Sequence, residues 1–342
     1  MTNDMSSAAS ARPATIYDVA RAAGVSIATV SNVLNRPDRV GAATRERVIQ
    51  AADELRYVPK SEAASRARAR VGRVAVAAPF SAYPSYLRRL VGILRGLDGQ
   101  GFEVTVIDEE SAAMSRSAVL ASLPVRGHID GLIAMGRSLD EAIERRLDDR
   151  ALPVVVVDAT SPRFSAVTID DFEGGRLAAA HLIELGHRRV GYVLERQVSD
   201  YESQARRRLD GVRQVFGEAG GGVVVESAEG SVADGRRAAR ALLDRDPGLT
   251  AVMAHYDDLA IGALDALREA RLRVPDDVSV VGYDDGLPAE AAGLSTVRQP
   301  FEETGVVAAN LLLASLDGER SPSLTQLRTE LVVRRTTGGA RA

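Results

Sequence analysis

Cysteine is absent from this chain, which removes disulfides, thiolate metal ligands and a cysteine nucleophile, and fits a reducing compartment. Histidine occurs four times, as His128, His181, His187 and His255, and the spacing matches no metal motif, so no metal site is expected. His187 sits in Leu185-Gly186-His187-Arg188 and reads as a helix-end cap. No apolar run approaches the roughly 20 residues that span a membrane. The Ser/Ala-rich residues 1–14 hold no apolar segment of the secretory kind, so they read as a disordered arm on a cytoplasmic protein. No G-x-G-x-x-G follows an apolar strand, and no G-x-x-x-x-G-K-[ST] exists, so dinucleotide and P-loop chemistry lack their phosphate cradles. No serine stands in a nucleophile elbow. Neither a cofactor nor enzymatic activity is expected. Lysine is nearly absent too: Lys60 is the single one, and arginine carries the remaining basic charge.

That basic charge is unevenly placed. Residues 14–70 hold ten Arg/Lys against six Asp/Glu, on a chain whose net charge is −4. A basic end on an acidic body suits contact with nucleic acid at that end only. Its pattern is helical. Thr15 is a good N-cap, Asp18 lies in the first turn, and Ile16, Val19, Ala20 and Ala23 share one face before Gly24. Ser26 opens a second helix, Ile27 to Leu34, with Val30 and Leu34 inward. A third is expected from Ala43 to Leu55, with Thr44 as cap and Val48, Ala51, Ala52 and Leu55 as its apolar stripe. Two short helices about a glycine turn make a helix-turn-helix, although a plain three-helix bundle has the same pattern.

The segment "TIYDVARAAGVSIATVSNVLNRPDRVGAATRERVIQAADELRYVP" resembles the headpiece of the lactose/galactose repressor family over nearly every position from Thr15 to Pro59. The resemblance implies that the second helix enters the major groove of operator DNA. Ile27, Ala28, Thr29 and Asn32 would face the bases, with Asn32 suited to an adenine edge and Ile27 and Ala28 to thymine methyls. Thr15, Ser26, Thr29, Ser31, Asn35 and Arg45 complete the implied DNA-contacting set, chiefly as phosphate positioners. Pro59 ends the third helix, and residues 60–71 then form a short Ala/Arg-rich linker. In the family this stretch is a hinge helix in the minor groove, where a leucine wedges between base pairs. Here Arg66 stands at that position, so either bending is weaker or electrostatic contact replaces the wedge.

From residue 72 onward, apolar strands alternate with amphipathic helices. Strands are expected at 73–79, 102–108, 129–135, 154–158, 189–194, 222–226, 251–254 and 278–283, and helices at 86–100, 174–185, 201–219, 235–244, 258–270 and 302–316. Repeated β-α-β order means parallel sheets covered by helices, and the length fits two of them. "IDDFEGGRLAAAHLIELGHRRVGYV", "RRLDG", "TAVMAHYDDLAIGALDALREARLRVPDDVSVVGYDD" and "LSTVRQPF" resemble the same family. The implied fold is a helix-turn-helix headpiece plus a bilobed, periplasmic-binding-protein-like α/β domain of two Rossmann-like parallel sheets. One lobe would take about residues 72–169 and 299–327, the other about 170–298 and 328–340, with three crossovers and the effector between them.

Position by position, the resemblance makes Arg208 the effector-binding arginine and Asp284 the effector-binding carboxylate, with Asp170 and Gln299 beside them. Arg and Asp together grip vicinal hydroxyls, which suits a sugar. Phe80 and Tyr86 are the candidate apolar faces for a ring. Tyr256 stands where sugar-binding members often have Asn, and Ser85 where an aromatic is usual. An alternative use of Arg208, Asp170 and Asp284 is a structural ion-pair network. The chain has no C-terminal heptad segment, so a homodimer is expected on a pseudo-palindromic operator. The competing classes are an exported solute receptor, opposed by the headpiece, and a Rossmann-like enzyme, opposed by the missing cofactor loops.

Overall fold

In the computed structural model the described residues are 14–55, 57, 72–109, 129–196, 204–319 and 321–341. Residues 1–13 of the expected arm and the linker residues 60–71 with Arg66 lie outside that set.

Three helices form the N-terminal unit: α1 (Ile16–Ala23), α2 (Ile27–Asn35) and α3 (Ala42–Glu54). Asp18 accepts from the Thr15 amide at 2.9 Å and from its hydroxyl at 2.6 Å, which fixes the start of α1. Gly24 ends it with φ of 63°, a left-handed turn that glycine adopts without a Cβ penalty. Ser26 caps α2 by accepting from the Thr29 amide at 3.1 Å. Val19, Val30, Val33, Val48, Ile49 and Ala52 fill the core beneath.

Two expectations for α3 need correction. The helix begins at Ala42 after Gly41, so Thr44 lies inside its first turn and does not cap it. Ile49, not Leu55, completes the buried stripe, because the helix stops at Glu54 and Leu55 turns outward. A 3₁₀ turn at Pro37–Arg39, which helical periodicity does not signal, joins α2 to α3.

The remainder builds two six-stranded sheets. The first is ordered β11-β5-β4-β3-β1-β2, from β1 (Gly72–Ala78), β2 (Phe102–Asp108), β3 (Gly131–Met135), β4 (Val154–Val157), β5 (Ser165–Ile169) and β11 (Leu324–Leu327). The second is ordered β12-β10-β9-β8-β6-β7, from β6 (Arg189–Glu195), β7 (Gly222–Ala228), β8 (Ala251–Ala254), β9 (Ser279–Asp284), β10 (Ser295–Arg298) and β12 (Glu330–Val332). All pairings are parallel except the edge strand β12 on β10. The all-buried strands Gly131–Met135 and Val154–Val157 read as continuous apolar runs, as a sheet covered on both faces requires.

Helices α4 (Ser85–Gly96), α5 (Glu141–Asp149) and α11 (Phe301–Leu316) belong with the first sheet. The second carries α6 (Asp171–Glu184), α7 (Gln204–Glu218), α8 (Val232–Arg245), α9 (Asp257–Glu269) and α10 (Leu287–Ala292). The chain passes between the sheets after β5, after β10 and between β11 and β12. Short elements escaped the periodicity reading: α5, β5, α10, β10, β11 and β12.

Helix pairs approach backbone to backbone at matched glycines. A Cβ on Gly92 of α4 would lie 1.9 Å from the Glu302 carbonyl oxygen, and one on Gly305 of α11 would lie 2.0 Å from that of Arg89. Gly175 of α6 and Gly211 of α7 make the equivalent contact around Arg208 and Phe172. These pairs hold the backbones of Arg89 and Arg208 rigidly, and both residues line the cleft.

His187 ends α6 as expected, its backbone amide donating to the Leu182 carbonyl at 3.0 Å. Its ring ties the C-terminal segment to the second lobe, Nδ1 meeting the Thr250 hydroxyl at 2.9 Å and Nε2 the Gly338 carbonyl at 3.0 Å.

Candidate functional site

A cleft of about 370 Å³ lies between the lobes, beyond the carboxyl ends of β1, β4, β6, β8 and β9. Parallel sheets place ligands there because strand ends and helix starts converge. Polar residues directly following apolar strands supply much of its lining: Asp158 after β4, Glu195 ending β6, His255 after β8 and Asp284 ending β9. Asp158 and Asp284 have φ of 60° and 107°, and Asp285 has 52°. Non-glycine residues in that region carry strain, which often marks a ligand clamp.

Arg208 is the centre of the second-lobe wall. Its Nε donates to Asp171 at 2.7 Å, and Nη1 donates to the His255 carbonyl at 2.8 Å. Nη1 also lies 3.8 Å from Asp284, and the guanidinium stacks 3.8 Å over the Tyr283 ring. Burial opposes its charge, but Asp171, Tyr283 and Asp284 outweigh burial and raise its pKa above the ordinary value. Among the described residues, Nη2 has no hydrogen bond to the protein and remains a donor for a ligand. Asp284 accepts a short hydrogen bond from the Gln299 amide. Burial pushes its carboxyl up to about 6, against the pull of Arg208 and Gln299.

The first-lobe wall has a second arginine. Arg89 pairs with Asp158 at 2.8 Å, both side chains being nearly inaccessible. The Arg89 guanidinium lies 5.0 Å from the Tyr86 ring centroid and 4.4 Å from that of Phe301. Among the described residues, three side chains donate across the cleft: Tyr83 Oη to Glu195 at 3.0 Å, Gln204 to the Asp158 carbonyl at 2.8 Å, and Arg88 to the carbonyls of Asp284 and Asp285 at 3.4 and 3.2 Å.

His255 lies between Arg208 and Glu195. A guanidinium only donates, so the 3.5 Å contact from Arg208 Nη1 makes His255 Nδ1 the acceptor. The ring proton then sits on Nε2, facing Glu195 at 3.6 Å. Burial lowers the His255 pKa and keeps the ring neutral near pH 7. Glu195 is buried too, yet hydrogen bonds from His255 and Tyr83 hold its pKa below the ordinary value.

Asp257, at the start of α9, accepts from the Gly286 amide and the Thr296 hydroxyl, each at 2.7 Å. Burial, reinforced by the charge of Asp284, raises its pKa from 3.8 to about 8. The folded chain therefore holds a proton in this window that the unfolded chain has released. Its contribution is complete below pH 3.8 and disappears as pH rises through about 8. Asp257→Asn mimics the neutral acid: its carbonyl oxygen still accepts from Gly286, and its amide donates to the Thr296 hydroxyl oxygen, reversing that one hydrogen bond. It is expected to remove a slope of roughly 1 kcal/mol per pH unit. Thermal melting of both proteins at pH 5 and pH 8 checks this: the variant should gain on the parent at pH 8.

Five of the seven sequence-predicted effector residues meet at the cleft: Tyr86, Arg208, Tyr256, Asp284 and Gln299. Phe80 and Asp170 do not border it. Phe80 packs against the first-lobe core, because the chain turns just after β1. Asp170 caps α6 by accepting from the Glu173 amide at 3.0 Å, and its neighbour Asp171 pairs with Arg208. Sequence reading missed Tyr83, Arg88, Arg89, Asp158, Glu195, Gln204, His255 and Phe301. A polar residue at the carboxyl end of an apolar strand was the available signal for Asp158, Glu195 and His255.

On the headpiece, Ile27, Ala28 and Asn32 stand exposed on one side of α2, opposite Val30, Val33 and Leu34. Ser26 and Thr29 hydroxyls lie 2.9 Å apart at the helix start, and Ser31 is half-buried on the same helix. Thr15 is engaged by Asp18. Arg45 donates to the Pro37 carbonyl at 3.2 Å, bracing the turn before α3. Asn35 closes α2, and its side chain lies outside the described set.

A helix-turn-helix unit with an exposed second helix, joined to a two-lobed ligand cleft, defines a ligand-responsive DNA-binding transcription regulator. Residues 15–60 match the model of bacterial regulatory proteins of the lacI family, and residues 179–337 match the periplasmic binding protein-like domain. The chain belongs to the lacI family of transcriptional regulators. It is 32% identical to the HTH-type transcriptional regulator DegA of Bacillus subtilis, across 94% of this chain and 98% of that protein. It is 35% identical to the HTH-type transcriptional regulator CelR of Thermobifida fusca, with the same coverage of 94% and 98%. Among solved structures, a CelR–cellobiose complex aligns with a TM-score of 0.68 at 33% identity, covering 95% of this chain and all of that one. The lac repressor dimer bound to operator and the anti-inducer ONPF aligns with a TM-score of 0.70 at 30% identity, covering 96% of this chain and all of that one. Among the described residues, no helix is long and apolar enough to cross a membrane.

Proposed function

We propose that this chain is a dimeric repressor that acts on operator DNA in the cytoplasm and whose operator affinity is set by an uncharged sugar held in the cleft. The observation that carries the sugar assignment is that Arg208 Nη2, Asp284 and Gln299 line the same cleft as the Tyr83, Tyr86 and Tyr256 rings. Donors and a carboxylate acceptor side by side fit adjacent hydroxyls, and aromatic walls fit the apolar face of a pyranose. Charge argues for an uncharged ligand. Arg89 is neutralised by Asp158, Arg208 by Asp171 and Asp284, and Arg88 is spent on two carbonyls. Glu195 and Asp258 also line the cleft, so a phosphate or carboxylate would enter against negative charge. The cellobiose complex of CelR supports the same reading.

The dimer follows from α4. Leu87, Val91 and Leu94 recur at helical spacing and are 50%, 41% and 46% exposed. Val106, on the edge strand β2, is 49% exposed. An apolar stripe on a helix beside a sheet edge suits burial by a second copy. The lac repressor dimer on its operator is the parallel.

Isothermal titration with cellobiose and with glucose 6-phosphate tests the effector. Binding of the neutral sugar and rejection of the phosphate are expected; the reverse order would sink the uncharged-ligand assignment. On the DNA side, Asn32→Ala should weaken operator binding by roughly 1–3 kcal/mol and relax the preference at one base pair per half-site, with cleft binding intact. Fluorescence anisotropy against operator variants reads this, and an unaltered base preference would remove Asn32 from the major groove.

A further inference from the structure

A second charged cluster lies where the headpiece meets the first lobe. Asp53, near the end of α3, faces two arginines associated with α5. Arg146 Nε lies 2.7 Å from Asp53 Oδ2, and Arg150 Nη2 closes on Oδ1. Arg146 also reaches Glu46 at 3.2 Å. Glu46 and Asp53 sit two turns apart on one face of α3, and Arg146 and Arg150 are four residues apart. The cluster is not a loose surface pair: Arg146 is 12% exposed and Asp53 is 20% exposed. α3 carries the cluster, whereas α2 carries the proposed base contacts.

The arginines are also tied to the cleft. Arg150 directly follows α5, and only Ala151, Leu152 and Pro153 separate it from β4. The carboxyl end of β4 delivers Asp158, which pairs with Arg89 and whose carbonyl accepts from Gln204 of the second lobe. One short rigid unit, α5 and β4, thus has the headpiece clamp at one end and a cross-lobe contact at the other.

We propose that Arg146 and Arg150 dock the headpiece on its own ligand domain through Asp53, and that α5 and β4 carry changes at Asp158 to that docking surface. A rigid element biased at both ends is the physical requirement for such coupling. The docking arm stands on the cluster alone; the ligand arm rests on the effector reading above.

The absence of cysteine makes the docking measurable in the full chain. Nitroxides on Ala22→Cys in α1 and Asp98→Cys in the first lobe, with one labelled chain per dimer, report the distance distribution by pulsed electron paramagnetic resonance. Both positions are exposed. The parent should give one narrow distance. Asp53→Arg should broaden it, the milder Asp53→Asn should broaden it less, and Asp53→Arg with Arg150→Glu should restore most of the narrow component. A parent distribution that is already broad, a narrow one in Asp53→Arg, or no recovery in the charge swap would each overturn the docking. For the ligand arm, Asp53→Asn should keep cellobiose affinity but reduce the cellobiose-induced change in operator affinity at least fivefold; an unchanged ratio overturns the relay. If the parent binds no cellobiose, the effector reading fails instead, and the distance measurement still decides the docking.

Discussion

Arg208→Met is expected to destabilise the second lobe by roughly 3–5 kcal/mol, because it strands buried carboxylates. Arg208 is the one cation in contact with both Asp171 and Asp284 among the described residues; its backbone is packed against Gly175 and its guanidinium stacks on the Tyr283 ring. Methionine replaces the stem but supplies no charge. Asp171 then has to take up a proton or hold an uncompensated charge away from water. Calorimetry should show a transition lower by about 10 °C. Loss of effector binding follows from the same change, since Nη2 disappears from the cleft wall. A variant that melts with the parent would mean that the Asp171 pair contributes nothing net to the fold.

Asp284→Asn separates binding from stability. The amide preserves the shape and keeps one acceptor, but removes the charge that a sugar hydroxyl would meet. Roughly a 100-fold loss of sugar affinity is expected, about 2.7 kcal/mol, with operator affinity of the ligand-free protein unchanged within about twofold. Asp284 has its pKa raised to about 6, so the parent's sugar affinity should be flat above pH 7 and fall about tenfold per unit below pH 6. The asparagine variant should lack that fall. Calorimetric titration at pH 5, 6 and 7.5 measures both, and an identical pH profile in the two proteins would remove Asp284 from the contact.

The headpiece was legible because its signals are local. Caps at Thr15 and Ser26, the glycine at 24 and the apolar spacing of α1 and α2 are each set within a few residues. Sheet strands with long apolar runs were legible for the same reason. The strands β5, β10, β11 and β12 were not, because polar residues such as Thr168, Arg298, Gln326 and Glu330 interrupt them and their pairing depends on distant chain. At the site, Arg208 and Asp284 were found by motif, whereas Arg89 and Asp158 were not. Their pairing spans 69 residues and depends on a glycine-tight contact between α4 and α11 that no local pattern announces. Asp170 was assigned through the resemblance alone; with α6 beginning at Asp171, the first aspartate caps the helix and the second faces Arg208.

Selection of genomic DNA fragments by the full chain at a stated, near-physiological salt, run in parallel with and without a panel of neutral mono- and disaccharides, tests the central claim most directly. Recovery of a pseudo-palindrome of about 14–20 base pairs whose retention changes at least tenfold with one neutral sugar is the predicted result. Recovery of unselected DNA, or of an operator whose retention no neutral sugar alters while a charged metabolite does, would contradict it.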